Sequence, residues 1–332
     1  MSADLPATIF DPAPFDGRRF GNFSGRAPHG FAAMLRWMMT RQRPRRPDYI
    51  ASSPAPKPVE RVDDGAIRAT MVGHATVLLQ VAGLNILTDP VWSHRVGPLP
   101  WIGARRIRPP AIAFADLPGI DAILLSHSHY DHLDRPTLAR LERRDSPLVL
   151  TGKKVGKIVP SHRIVEFDWW ESHEIGNHVR ATYVPAEHFS IRKPLDFNAT
   201  LWGGFVLETP AGTIYFVGDT GNGLHFAAIR ERFGPVTLSL IPIGAYAPRW
   251  FMSPVHIDPS EAVAAGLTVE SQVSLAIHFG TFLLGDDAFD EPQRALAGAI
   301  AAASSADREV DFRVPGFGEP IVVRSDRRFG RY

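Results

Sequence analysis

The feature that most constrains this chain is the run Leu124-Leu-Ser-His-Ser-His-Tyr-Asp-His-Leu-Asp134. Three histidines and an aspartate fall in the pattern His127-x-His129-x-Asp131-His132. The run follows Ala122 to Leu125, an apolar stretch suited to a short buried strand. It precedes Arg135 to Arg143, which reads as a helix with Pro136 in its first turn and Asp134 as its N-cap. The donor side chains therefore belong to a strand-to-helix loop. In extended backbone, residues two apart point to the same side, so His127 and His129 can aim at one ion. Imidazole nitrogens and a carboxylate at about 2.0–2.2 Å suit Zn²⁺. The bland alternative is a solvated histidine-rich loop, and it accounts poorly for four donors at one strand end.

One loop cannot aim a full ligand set, and further donors close later apolar stretches. Val184-Pro-Ala-Glu-His188, Tyr215-Phe-Val-Gly-Asp219 and Ala276-Ile-His278 each end a predicted strand on His or Asp. Each alone reads most simply as structural; their shared placement at strand ends points to a site. The pattern predicts strands at Ile67 to Val72, Thr76 to Val81, Asn85 to Thr88, Leu148 to Thr151, Val179 to Val184, Thr200 to Glu208, Thr213 to Val217, Leu238 to Pro242, Ser274 to Ile277 and Ile321 to Arg324. Asp258-Pro-Ser-Glu261 predicts a capped helix start, and Arg294 to Ala303 an Ala-rich helix. His74, Asp89, Asp134 and His256 are candidates to support the ligands from behind. Tyr130, Tyr246, Arg249 and Trp250 are candidates to line the pocket. Turn caps and core packing are the competing roles. His94, His162, His173, His178 and His225 receive none.

These stretches together resemble the metallo-β-lactamase superfamily. Within it, Asp196-Phe-Asn-Ala-Thr-Leu-Trp-Gly-Gly204, Ile241-Pro-Ile-Gly-Ala-Tyr-Ala-Pro-Arg-Trp-Phe-Met252 and Pro254-Val-His-Ile-Asp-Pro259 resemble the N-acyl-phosphatidylethanolamine-hydrolysing phospholipase D branch. The resemblance spans roughly residues 65 to 295. It implies an αββα sandwich, two mixed β-sheets flanked by helices, with two divalent metal ions at one edge, zinc being the best match. It implies His127, His129 and His188 on one ion, Asp131, His132 and His278 on the other, and Asp219 between them. Asp131 and Asp219 are then the catalytic carboxylates, and Asp131 also manages a proton.

The implied activity is phosphodiester hydrolysis of phospholipase D type, giving N-acylethanolamine and phosphatidic acid. The alternative is a hydrolase of a small soluble lactone or phosphate ester, because one site type serves many chemistries. A nuclease is disfavoured by the formal net charge of +1 and the short gaps between motifs, although local charge clusters remain open. A metal-binding protein without turnover is disfavoured by the carboxylate-rich donor set. The absence of cysteine excludes disulfides, zinc thiolates and a cysteine nucleophile. Neither a leader pattern nor an apolar run of roughly 20 residues is evident, so a cytoplasmic protein, able to visit a membrane surface, is expected.

Residues 1 to 65 are rich in Pro, Gly and Arg and form an extension to a catalytic domain over 66 to 332. One apolar island, Phe31 to Met39, is followed by Arg41, Arg43, Arg45 and Arg46. The extension is expected either to pack on the domain or to meet lipid, with apolar side chains dipping in and arginines at anionic headgroups.

Overall fold

The computed structural model describes residues 12–42, 44, 47–52, 55–305 and 309–325. After α1 (Phe31–Thr40) come β1 (Ile67–Gly73), β2 (Thr76–Val81), β3 (Leu84–Thr88), the short β4 (Arg95–Val96) and β5 (Ala104–Arg105), β6 (Ala122–Leu125), α2 (Arg135–Asp145), β7 (Leu148–Gly152) and β8 (Ile164–Phe167). The second half contributes β9 (Ser172–Gly176), β10 (Val179–Val184), β11 (Gly204–Thr209), β12 (Gly212–Phe216), α3 (His225–Phe233), β13 (Leu238–Pro242), α4 (Arg249–Met252), α5 (Pro259–Thr268), β14 (Val273–Ile277), α6 (Glu291–Ala303), β15 (Phe312–Arg313) and β16 (Pro320–Val323).

These strands form two mixed sheets, ordered β16-β1-β2-β3-β6-β7-β8 and β15-β14-β13-β12-β11-β10-β9, while β4 and β5 pair with each other. Alternation along β2 shows how the first sheet is buried on both faces. Leu79 joins Ile86, Leu124 and Leu150 in the main core, with Tyr183, Phe205 and Phe216 of the second sheet. Its neighbour Leu78 points the other way, into a layer with Leu87, Ile123, Leu125 and the α2 residues Leu138 and Leu141. Phe226 and Ile229 of α3, Val263 of α5 and Leu296 of α6 cover the second sheet. The architecture is the expected αββα sandwich.

Strand direction places the donors. The parallel strands β3, β6 and β7 run together, as do β12, β13 and β14. Their carboxyl ends share an edge, and the sequence beyond β3, β6, β12 and β14 supplies Asp89, His127, Asp219 and His278. Two glycines let the sheets approach there. A Cβ on Gly203 would lie 2.5 Å from the Val184 carbonyl, and one on Gly218 would lie 2.8 Å from the Gly203 carbonyl and 2.9 Å from Ser126 Cβ. The Trp-Gly-Gly stretch thus marks backbone contact beneath the ligand loop. It also shortens a predicted strand: Thr200 to Gly203 are not part of β11, which begins at Gly204.

The Ala-rich helix α6 starts at Glu291, three residues before the expected Arg294, and the two expected N-caps differ in outcome. Asp258 accepts from the Glu261 N–H, and Glu261 accepts from the Asp258 N–H, each at 2.9 Å, a complete capping box. Asp134 occupies the N-cap position of α2 but makes no side-chain cap. Its carboxylate instead accepts from Trp92 N–H, Ser93 N–H and Oγ, and Thr137 Oγ1.

Candidate metal centre

Four of the seven expected donors come from the loop after β6, and three from the second sheet. The structure brings all seven together. His127, His129 and His188 form one group of potential ligand atoms within 4.8 Å of one another; Asp131, His132 and His278, joined by His74, form another. Within the first, His127 Nε2 lies 2.8 Å and His188 Nε2 3.3 Å from His129 Nδ1. Asp219 Oδ2 stands between the groups, 3.1 Å from His132 Nε2, 3.2 Å from His278 Nε2 and 3.8 Å from His188 Nε2. Donors about 2.1 Å from a tetrahedral ion lie about 3.4 Å apart, so this spacing is that of ligands sharing an ion. The buried atoms His132 Nε2, His278 Nε2 and Asp219 Oδ1 have no hydrogen-bond partner. Such atoms are costly unless an ion or solvent satisfies them. The cluster fits a divalent metal centre.

Hydrogen bonds behind the donors fix their tautomers. Asp89 is fully buried and accepts from His132 Nδ1 at 2.6 Å, which leaves His132 Nε2 to face the centre. Asp89 also accepts from Ser126 N–H and Oγ. Because the Ser126 hydroxyl is thereby a donor, it accepts from His127 Nδ1 at 2.9 Å, and Nε2 of His127 is freed in the same way. His188 Nδ1 donates to the Val255 carbonyl at 2.9 Å. His74 Nε2 donates to Asp131 at 3.1 Å. His74, Asp89 and His278 all have positive φ, at 58°, 31° and 60°. Strained backbone of this kind persists where surrounding contacts over-determine it; one is the 2.8 Å bond from His278 N–H to the His74 carbonyl.

Burial and charge divide the histidines. Burial, then neighbouring histidines, hold His127 well below the ordinary histidine range. Burial lowers His129 to about 4 and His74 to about 3. Burial also disfavours charge on His132, but Asp219, Asp131 and Asp89 outweigh it and lift His132 well above that range. For the same reason His278 rises to about 9. Asp131 and Asp219 stay well below the carboxylate range despite burial, because His132 stands beside both.

His256 joins His188 and Asp219 in a further donor group, and burial lowers it to about 4. The other candidates have different roles. Tyr246, in the loop after β13, donates to Glu291 of α6 at 3.0 Å, and Arg249 of α4 bonds Glu261 of α5 and the His256 carbonyl; these bonds tie the loop and α4 to neighbouring helices. Trp250 stacks under Arg36, next to α1. Tyr130 donates to the Arg192 carbonyl at 2.6 Å and lines a cavity beside the ligand loop.

Sequence reading missed Asn22. This buried amide donates to the His188 carbonyl at 2.9 Å and accepts from the His188 N–H at 3.0 Å and the Trp202 indole at 3.0 Å. Ser24 binds the Glu187 carboxylate, so the extension straps down the loop that carries His188.

Residues 84–279 match the family described as the beta-lactamase superfamily domain. The chain belongs to the metallo-β-lactamase superfamily. It is a metal-dependent hydrolase of that fold. It is 36% identical over 278 residues to N-acyl-phosphatidylethanolamine-hydrolyzing phospholipase D 1 of Caenorhabditis elegans, covering 80% of this chain and 78% of that one. An uncharacterised protein of Mycobacterium tuberculosis is 38% identical over 266 residues, covering 78% of this chain and 70% of its own. Among solved structures, the Ignicoccus hospitalis metallo hydrolase Igni18 superposes with a TM-score of 0.57 at 19% identity, covering 77% of this chain and 98% of that chain; at that identity the likeness is one of metallo-β-lactamase fold.

Proposed function

We propose that this chain is a dinuclear phosphodiesterase of phospholipase D type, cleaving N-acyl-phosphatidylethanolamine-like lipids to N-acylethanolamine and phosphatidic acid. The observation that carries the reading is the likeness to the C. elegans phospholipase D across 80% of this chain. His127, His129 and His188 would hold one ion, Asp131, His132 and His278 the other, and Asp219 reaches both groups. Two divalent ions there, zinc by donor type, supply Lewis acidity that lowers the pKa of a water and offsets phosphoryl charge. The protein's part is positional. Asp131, held ionised, can accept a proton from the attacking water and return it to the departing N-acylethanolamine oxygen as the phosphorus–oxygen bond breaks. His256, neutral beside Asp219, offers a second proton station. Asp89, Ser126 and the Val255 carbonyl keep the imidazoles aimed throughout.

A lipid substrate requires approach to a bilayer. No described helix is long and apolar enough to cross a membrane, but α1 has no buried residue, and Phe31, Leu35, Met38 and Met39 are exposed. The expected lipid-facing set is corrected in two respects. Trp37 stacks on Phe251 and donates to Asp286 at 2.6 Å, and Arg41 pairs with Asp286 at 2.7 Å, so both anchor α1 to the domain. Arg43, Arg45 and Arg46 lie outside the described residues.

The test is a parallel assay of zinc-loaded protein on N-acyl-phosphatidylethanolamine, a soluble aryl phosphodiester and a lactone panel. Release of N-acylethanolamine is expected. Lactone turnover with both phosphodiesters untouched would overturn the proposal.

A further inference from the structure

A cavity of about 980 Å³ opens beside the ligand loop, bordered by Tyr130, Leu133, the start of α2 and the β4–β5 hairpin. Arg18, Arg95, Arg135, Lys154, Lys157 and Lys193 line it, and Arg192 joins them. The whole chain carries a formal net charge of only +1, so this concentration is local. Two carboxylates share the lining, Asp134 and Asp196, and both favour the charge on Arg192, but two anions offset only part of the charge of seven cations. Asp134 is occupied by Trp92, Ser93 and Thr137, and Asp196 accepts from the backbone N–H groups of Arg192 and Lys193. None of the seven cationic side chains forms a salt bridge among the described residues, whereas Arg144, Arg249, Arg294 and Lys153 elsewhere all do. Like charges in excess of their counter-charges repel one another, and a concave site focuses their field on an incoming anion.

The rim indicates where that anion resides. The turn between β4 and β5 exposes Leu99, Trp101 (71% exposed) and Ile102, and the loop after Arg192 exposes Leu195 (87%). Apolar tips around a basic recess match a bilayer surface, with side chains in the acyl boundary and cations at headgroup level. A groove for single-stranded nucleic acid would line its floor with successive free aromatic faces for stacking; here the Tyr130 ring in the lining is covered by the Arg192 guanidinium at 4.0 Å, and the exposed Trp101 stands on the rim turn beside Leu99 and Ile102.

The geometry points to a headgroup site for an anionic phospholipid bearing a phosphomonoester, docked by the β4–β5 turn. It lies outside the metal donor groups, and it stands on charge and shape without the substrate reading, although phosphatidic acid is the lipid that reaction would leave in the bilayer. The site would hold the enzyme on membranes where such lipid accumulates.

The experiment is co-sedimentation of the full chain with phosphatidylcholine vesicles, with and without phosphatidic acid, across a salt series. Lys157 and Lys193 are exposed and unpaired, so K157E/K193E is expected to fold normally. It should weaken binding to the acidic vesicles by about tenfold or more and leave neutral vesicles unaffected. L99S/W101S should weaken binding to both. Equal binding of the parent chain to both vesicle types, or acidic-vesicle binding unchanged in K157E/K193E, overturns the proposal. So does displacement from vesicles by soluble inositol hexakisphosphate or a single-stranded RNA at stoichiometric amounts, which assigns the groove to a free polyphosphate or to nucleic acid. Turnover of a short-chain soluble substrate, measured on the same proteins, reports on the substrate reading separately.

Discussion

Asp131 sits where three imidazoles converge, with His74, His132 and His278 nitrogens at 3.1, 3.3 and 3.5 Å from its Oδ2. Asp131→Asn keeps its shape and removes its charge. Turnover on a confirmed substrate should fall by about 10²–10⁴-fold, the range of a lost general acid–base group; a kcat near the parent value would remove Asp131 from the chemistry. Asn22 makes a different prediction, because it touches backbone rather than substrate. Asn22→Ala strands the His188 N–H and carbonyl, while the Trp202 indole keeps the Ala186 carbonyl at 3.0 Å, and each buried unmet group costs about 1–3 kcal/mol. The expected result is a lower melting temperature together with roughly 10–100-fold weaker metal retention against a chelator. Asn22→Asp, which keeps the acceptor and loses the donor, should fall between. Loss of melting temperature with unchanged metal retention would reduce Asn22 to a packing residue.

At the scale of elements, α1 separates two kinds of apolar residue that look alike in sequence. Trp37 is an anchor, while Phe31, Leu35, Met38 and Met39 face outward. Changing the four outward residues to serine should leave the melting curve nearly unchanged and weaken vesicle binding, since roughly 25 cal/mol is lost per Å² of apolar surface no longer buried in lipid. Trp37→Ser should do the reverse. Vesicle binding unchanged in the fourfold variant would end the membrane role of α1. Such distinctions require the fold; other features were legible without it. β2, β6, β10 and β13 have the bounds expected from their apolar runs, because buried strands carry a dense apolar signal. The donor loop was legible for the same reason: four ligand-type residues follow such a run directly. β9 was missed because Ser172-His-Glu-Ile-Gly176 is largely exposed at a sheet edge and alternates little. α3 was missed because Leu224 stands at its N-cap position with no side-chain cap to announce it. Asn22 lies 166 residues from His188, and no local pattern reports a contact of that range.

For the molecule as a whole, the donor groups join the two sheets. His127, His129, Asp131 and His132 follow β6 of the first; His188, Asp219 and His278 follow strands of the second. Ions held there bind the folded chain only, so their removal should lower the melting temperature in proportion to their affinity. Elemental analysis of zinc-loaded protein should approach two equivalents, and a value below one that added zinc does not raise would end the dinuclear reading. The two groups should load differently with pH. His127, His129 and His188 are held neutral by burial, with His129 at about 4, so protons compete weakly for that group until the solution is acidic. His132 and His278 are raised, His278 to about 9, so an ion entering that group near neutrality must displace protons. Raised values mean that proton competition strengthens as pH falls below about 9, and affinity drops by about tenfold per pH unit for each proton released. On acidification the ion at Asp131, His132 and His278 should therefore leave first. Calorimetric titration of metal-free protein in two buffers of different ionisation enthalpy should show proton release confined to one of two binding steps. Two steps that release no protons, or ions lost together over one pH interval, would contradict the division of labour that the buried charges impose.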